Sequence, residues 1–287
     1  MADNKPKKQH YVPCAYLAQF SANPRPRLRK SKVYRTDNNI ENRLVPVETQ
    51  CFKEFYYEED DTQKVEDELK TLEDELQKII GQCNEGMPKQ RELKLLMLHH
   101  AYMFSRGEAV ENVSSTTKYT SYNNASNLLL AHYFYDQPIT DLRNKDFANY
   151  LFNNYGSLVL TSKGESLITS DNPVIVFQTL DGVQAALSFM PLTSHRISIL
   201  FHKSYVRAKP TKLDTLDVAN LNALQAMNSY EAIFSFDELP EKDLASARKC
   251  FGKRRYPKVQ INDKGGKFDL PLVSTVAKKF SFIRELY

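Results

Sequence analysis

Apolar residues change their spacing near residue 155, and this change limits the folds open to the chain more than any other feature. Before it, Val65, Leu69, Leu72, Leu76 and Ile79 recur at three- and four-residue steps. That spacing lays one apolar stripe along an α-helix, predicted from Thr62 to Ile80 with Gly81 as its stop signal. After it, the segments 157–161, 167–169, 174–178, 185–190 and 197–202 are short and rich in β-branched residues. Gly164, Asn172-Pro173, Asp181-Gly182 and Thr193-Ser194 separate them, which is the texture of an antiparallel meander.

A second helix is predicted from Lys89 to Arg106. It is apolar nearly all round, as a central helix is. Further helices are expected at 128–135, from Asp141 to Asn154, from Thr215 to Ser229 and from Glu241 to Cys250, with one returning strand from Ala232 to Phe236. Near the start, Leu28 to Thr36 and Arg43 to Val47 read as a basic hairpin turned by Asp37-Asn38-Asn39. Together these predict an α+β fold: a mainly helical N-terminal half packed on an antiparallel β-sheet from the C-terminal half. Residues 1–236 are expected to form a single domain, with 237–287 as a basic C-terminal extension packed on it.

At 287 residues, 41% of them apolar and 26% charged, the chain has an ordinary globular composition and enough length to bury a sizeable core. No apolar run is long enough to cross a bilayer, and Met1 to Lys8 is polar, so no membrane association and a cytoplasmic location are expected. The cysteines Cys14, Cys51, Cys83 and Cys250 lie far apart, with no C-x-x-C pair to suggest zinc or a disulfide framework. Charge is unevenly placed. Ten acids against Lys64 and Lys70 leave Glu58 to Glu75 at −8, so the rest of the chain carries +12 within a net +4. The cations gather at Lys5 to Lys8, Arg25 to Arg35 and Lys253 to Lys258, a distribution suited to a polyanion whose phosphates bind Lys and Arg.

The most distinctive motif is Gln9-His10-Tyr11-Val12-Pro13, followed by Tyr16-Leu17 and Phe20. Arg106, Ser170-Asp171-Asn172-Pro173-Val174, Pro191-Leu192 and Asn222 follow in order. In these residues the chain resembles the uncharacterised bacterial family grouped as domain of unknown function 4238, with its QHYVP-x-x-YL-x-x-F opening and later SDNPV. The resemblance implies a bacterial or prophage-borne accessory gene, and some relatives look like stand-alone antiphage defence genes.

The residues themselves suggest a chemistry. His10 titrates near neutrality and can take or give a proton, held by Tyr11 and Pro13. Arg106 could hold a phosphate, and Asp171, before the Asn-Pro turn, could orient His10. Tyr11, Tyr16, His99 and Asn172 are the expected substrate contacts. Glu66 and Glu73 share one flank of the acidic helix and are the candidates for a divalent metal, although no H-E-x-x-H spacing occurs. This kit predicts a defence effector acting on RNA or DNA, a nuclease cutting phosphodiesters. The alternative is a non-catalytic sensor or adaptor that binds a phage protein or nucleic acid; a homo-oligomer is compatible with either. G-x-x-x-x-G-K-[ST] and G-x-G-x-x-G are both missing, so nothing points to nucleotide-driven chemistry.

Overall fold

The computed structural model describes residues 8–22, 28–39, 41–54, 62–106, 145–178, 185–250, 258–260, 267–269 and 280–286. The helix expected at 128–135 lies outside them. Strand β1 (Lys8–His10) leads into the single turn α1 (Cys14–Leu17). Strands β2 (Lys32–Asp37), β3 (Arg43–Pro46) and β4 (Phe52–Glu54) precede the long helices α2 (Thr62–Glu85) and α3 (Gln90–Arg106). Helix α4 (Lys145–Asn154) runs into β5 (Tyr155–Thr161), then β6 (Thr169–Ser170), β7 (Ile175–Gln178), β8 (Ala185–Thr193), β9 (Arg196–His202) and β10 (Val206–Ala208). The chain ends through α5 (Thr215–Asn228), β11 (Ala232–Ser235), α6 (Glu241–Cys250), β12 (Lys258–Gln260), β13 (Lys267–Asp269) and β14 (Ile283–Leu286).

The expected division into a helical N-terminal half and a C-terminal sheet is not what the chain builds. Strands occur from the first described residues, the helices α2 and α3 fall in the middle, and one sheet mixes the two ends in the order β3-β2-β11-β6. The cause lies in β11. All four of its residues, Ala232 to Ser235, are buried, so its backbone must be paired on both edges. The early strand β2 supplies one edge (Ala232 opposite Asp37, Ser235 opposite Tyr34) and β6 the other. The N-terminal hairpin, exposed at Arg43 and Leu44, thereby becomes the outer pair of a four-stranded sheet.

The second sheet runs β5-β9-β8-β7, antiparallel throughout. Its strands alternate, but both faces are covered. Val159, Val176, Met190 and Leu200 join a core cluster with α2 and α3, whereas Ile175, Phe177, Phe189, Ile197 and Ile199 join one with Val218, Leu221 and Leu224 of α5. The sheet is thus the middle layer between α3 and α5. Its polar residues on the α3 face are matched: His100 bridges Ser188 and Ser198 through its two ring nitrogens, each at 2.9 Å. Complete burial pushes the His100 ring down to about 3, so it stays neutral, with one N–H donor and one acceptor for the two hydroxyls.

Helix α2 runs past Gly81 because its apolar stripe continues through Ile79 and Ile80 to Cys83, all buried, and burial of the stripe outweighs the modest helix penalty of one glycine. Among the described residues no helix is long and apolar enough to cross a membrane.

Candidate functional site

The N-terminal motif is first of all an anchor. β1 pairs antiparallel with β4, His10 opposite Phe52, and the Tyr11 N–H donates to the Cys51 carbonyl at 2.9 Å. Pro13 fixes an extended entry into α1, whose Tyr16 and Leu17, with Phe20 beyond, are almost wholly buried. The Tyr16 hydroxyl donates to the Pro191 carbonyl on β8 at 2.6 Å and lies 2.9 Å from Thr169 Oγ1 on β6, tying the chain start to both large sheets. Tyr11 is buried, with the Lys53 ammonium 5.9 Å from its ring centroid.

Arg106 ends α3 and is 2% exposed. Its guanidinium donates to Glu73 Oε1 and to the His10 carbonyl oxygen, each at 2.6 Å, and lies 5.3 Å from the Tyr102 ring centroid. One buried cation therefore joins α2, α3 and β1, as a deeply placed guanidinium must be paired. The structure brings His10, Arg106 and Glu73 together, but through the main chain of His10.

The His10 ring is half-buried. Its Nε2–H donates to the Glu48 carbonyl at 3.3 Å, and the ring tilts against Phe52 at 5.7 Å between centroids. Burial lowers its proton affinity, opposed by the Glu48 hydrogen bond; the charges of Arg29 and Arg106 lower it further, and Glu73 raises it. Donation from Nε2 makes Nδ1 the basic nitrogen of the neutral ring. Alternation along β1 puts Lys8 on the His10 side, where its ammonium stands 4.5 Å over the Phe52 ring. This face of the β1–β4 ribbon thus shows Lys8, His10 and Phe52, with the exposed Arg29 near enough for its charge to be felt at the imidazole.

Asp171 has a different task. Its carboxylate accepts the backbone N–H groups of Tyr230, Glu231 and Ala232 at 2.8, 2.5 and 3.1 Å, and so shapes the turn into β11. Asn172 is 1% exposed; its carbonyl accepts from Ser170 Oγ, Gln225 Nε2 and Asn228 Nδ2, and its side-chain amide donates to the Asn228 carbonyl. This knot locks the Asn-Pro turn to the end of α5. The two regions border at Cys51, a non-glycine residue at φ +50°, whose thiol is pushed well up by burial first and by the Asp171 charge second.

His99 is sealed between α2 and α3, its Nε2 3.6 Å from Glu75 Oε2, an ion-pair spacing longer than a hydrogen bond. That contact holds the Glu75 carboxyl below its ordinary range, against an opposing effect of burial. Glu66 lies on α2, with its side chain outside the described residues. Among the described residues, no three His, Cys, Asp or Glu side chains stand together in a group that could hold a metal ion.

Arg29 was legible only as one cation in a basic run, because no local spacing relates it to His10. The Ser188-His100-Ser198 bridge joins three elements and left no signal beyond a histidine on a central helix.

The architecture and the polar ties define an α+β protein whose N-terminal strand is pinned by a buried arginine. The chain belongs to the family described as protein of unknown function DUF4238, whose model matches residues 8–238. Comparison with curated proteins and with solved structures finds no match.

Proposed function

We propose that this chain contacts nucleic acid through the β1–β4 face and serves as a bacterial antiphage defence protein. The observation that carries the reading is the grouping of Lys8, His10 and Phe52 on one face of the ribbon beside the exposed Arg29. Two cations suit backbone phosphates, and an aromatic ring suits a base or sugar. Arg106 and Asp171 contribute by holding that face and its neighbours in place rather than by touching substrate. The defence role is what the family resemblance implies, and it is tested by phage plating on cells carrying wild-type or variant chain.

The binding test is salt dependence. Lys8→Ala/Arg29→Ala should reduce the slope of log affinity against log salt by about 2 for duplex DNA, somewhat less for single strands, because each phosphate contact adds about 0.7–0.9. An unchanged slope would move the contact elsewhere.

One observation favours a second reading, in which bound strand is cut. His10 is held neutral by burial and neighbouring cations, with its Nε2–H fixed on Glu48, the state required of a general base near neutral pH. His10→Ala should then abolish cleavage of RNA or DNA while leaving anisotropy-measured binding within about threefold. Cleavage that survives the substitution removes His10 from the chemistry and leaves a sensor or adaptor.

A further inference from the structure

The charged face at His10 does not end at the β1–β4 ribbon. The short turn Leu28–Lys30 packs against α1 and against the turn Val47–Thr49. The Val47 N–H donates to the Ser31 carbonyl at 3.0 Å, and β2 begins beside it with Lys32 opposite Pro46. Because the Glu48 carbonyl in that second turn accepts from the His10 ring, the cations of residues 29–32 continue the face that carries Lys8 and Phe52. Lys8, Arg29, Lys30 and Lys32 are all exposed, and among the described side chains of this strip Glu48 is the exposed acid. The strip is therefore cationic on balance, with an aromatic ring at one end.

The back of the ribbon decides what can lie on it. Gln9 and Tyr11, on the other face of β1, are 1% and 5% exposed, so the strand lies flat on the core. A two-stranded ribbon reads a duplex by entering its major groove, which a ribbon held down along one face cannot do. Paired bases are thus out of reach of Phe52, whereas a single strand offers each base with an open π-face. The ring is half-buried, and the Lys8 ammonium stands 4.5 Å over it at the tip of an exposed, flexible side chain. That ammonium can move to a phosphate and leave the ring to a base, exchanging a cation–π contact for a stack and an ion pair.

We propose, resting on the nucleic-acid contact argued above, that the ligand is a single strand, with one base stacked on Phe52 and its backbone running along Lys8, Arg29, Lys30 and Lys32. Charge complementarity selects a polyanion, and the flat seat with its one aromatic ring selects an unpaired one. Stacking of this kind tolerates any base, so recognition is of strandedness and not of sequence.

The test measures the anisotropy of labelled oligothymidine, oligouridine and a DNA duplex of equal length with the full chain, over a range of salt concentrations. The two single strands, which separate DNA from RNA, should include at least one bound about tenfold more tightly than the duplex. Phe52→Leu should weaken that strand about tenfold, within the range for one lost stack, and leave the salt slope unchanged. Lys30→Ala/Lys32→Ala should lower the slope by about 1.4, two phosphate contacts at about 0.7 each. A duplex bound as tightly, or full-strength binding by Phe52→Leu, overturns the single-strand assignment; a slope kept by Lys30→Ala/Lys32→Ala overturns the strip. In either case a slope still lowered by Lys8→Ala/Arg29→Ala leaves the broader nucleic-acid contact standing, and a slope lowered by neither double variant removes both. Should Phe52→Leu fail to fold, wild-type protein is irradiated with a strand carrying 5-iodouridine. A cross-link on Phe52 upholds the stack, and cross-links confined to other residues overturn it.

Discussion

The two motif-bearing regions of this protein spend their polar atoms in opposite ways. Around Asp171 and Asn172, every described hydrogen bond goes to the protein's own main chain or to amide and hydroxyl neighbours, and both residues are sealed. Around His10, charge of both signs converges on a half-buried ring: Arg29, Arg106 and Glu73 all act on one imidazole, and Lys8 stands over the adjacent Phe52. A buried knot of satisfied amides positions a turn and does nothing else; a ring left at a surface among charges retains a proton equilibrium that a ligand can shift. The motif with the more suggestive residues, Ser-Asp-Asn-Pro, is the structural one.

The comparison is broken most directly by removing Asp171. Asp171→Ala removes the carboxylate that accepts the three backbone N–H groups of residues 230–232, the one at Ala232 buried, and about 4 kcal/mol of unfolding free energy should be lost, since a hydrogen bond to a charged group contributes about 1.5–3 kcal/mol. Urea unfolding at neutral pH measures it. Nucleic-acid binding by whatever fraction remains folded should be unchanged; a variant of wild-type stability that loses binding would transfer the functional assignment to Asp171.

Arg106→Met should cost somewhat less, about 3 kcal/mol, within the range for breaking a buried ion pair, because Glu73 remains partly hydrated. A double-mutant cycle with Glu73→Gln should return a coupling of about 1–2 kcal/mol. Because the same guanidinium holds the His10 carbonyl, amide exchange at Tyr11 should quicken beyond what global destabilisation explains. Protection at Tyr11 that follows global stability alone would show that Arg106 braces the helices and not the β1–β4 face.

Much of the local structure was legible in the sequence and its assembly was not. The stripe from Leu69 to Ile79, the run Glu241–Cys250 and the short strands after residue 155 follow from the spacing of apolar residues. The partner of β11 does not, since pairing Ile233 with Thr36 is a contact across most of the chain that leaves no mark in either segment. The same distance hid the sites. That Arg106 would find Glu73 is readable from one buried cation beside an acidic helix. That its second bond would go to a main-chain oxygen of the proposed catalytic histidine is not, because side-chain patterns carry no record of which carbonyls they will meet.

The smallest expected effect separates the two kinds of histidine most cleanly. His100 holds its folded value at about 3, far below the ordinary 6.5, so the native state keeps the ring neutral while the unfolded chain protonates it. Stability is then fully present above pH 6.5 and is lost as pH falls from there towards 3, because the unfolded state binds the extra proton. Between pH 6.5 and 5.5, above the range in which carboxylates titrate, the loss should be about 1 kcal/mol, because the unfolded ring goes from half to about nine-tenths protonated over that unit. His100→Gln should remove most of that slope. His10 is lowered in the same direction but sits only half-buried, so His10→Asn should flatten it by a small fraction. Equal flattening by the two substitutions would mean that the His10 ring is as closed to water as the Ser188–Ser198 bridge, and the N-terminal face would then have no proton to offer a ligand.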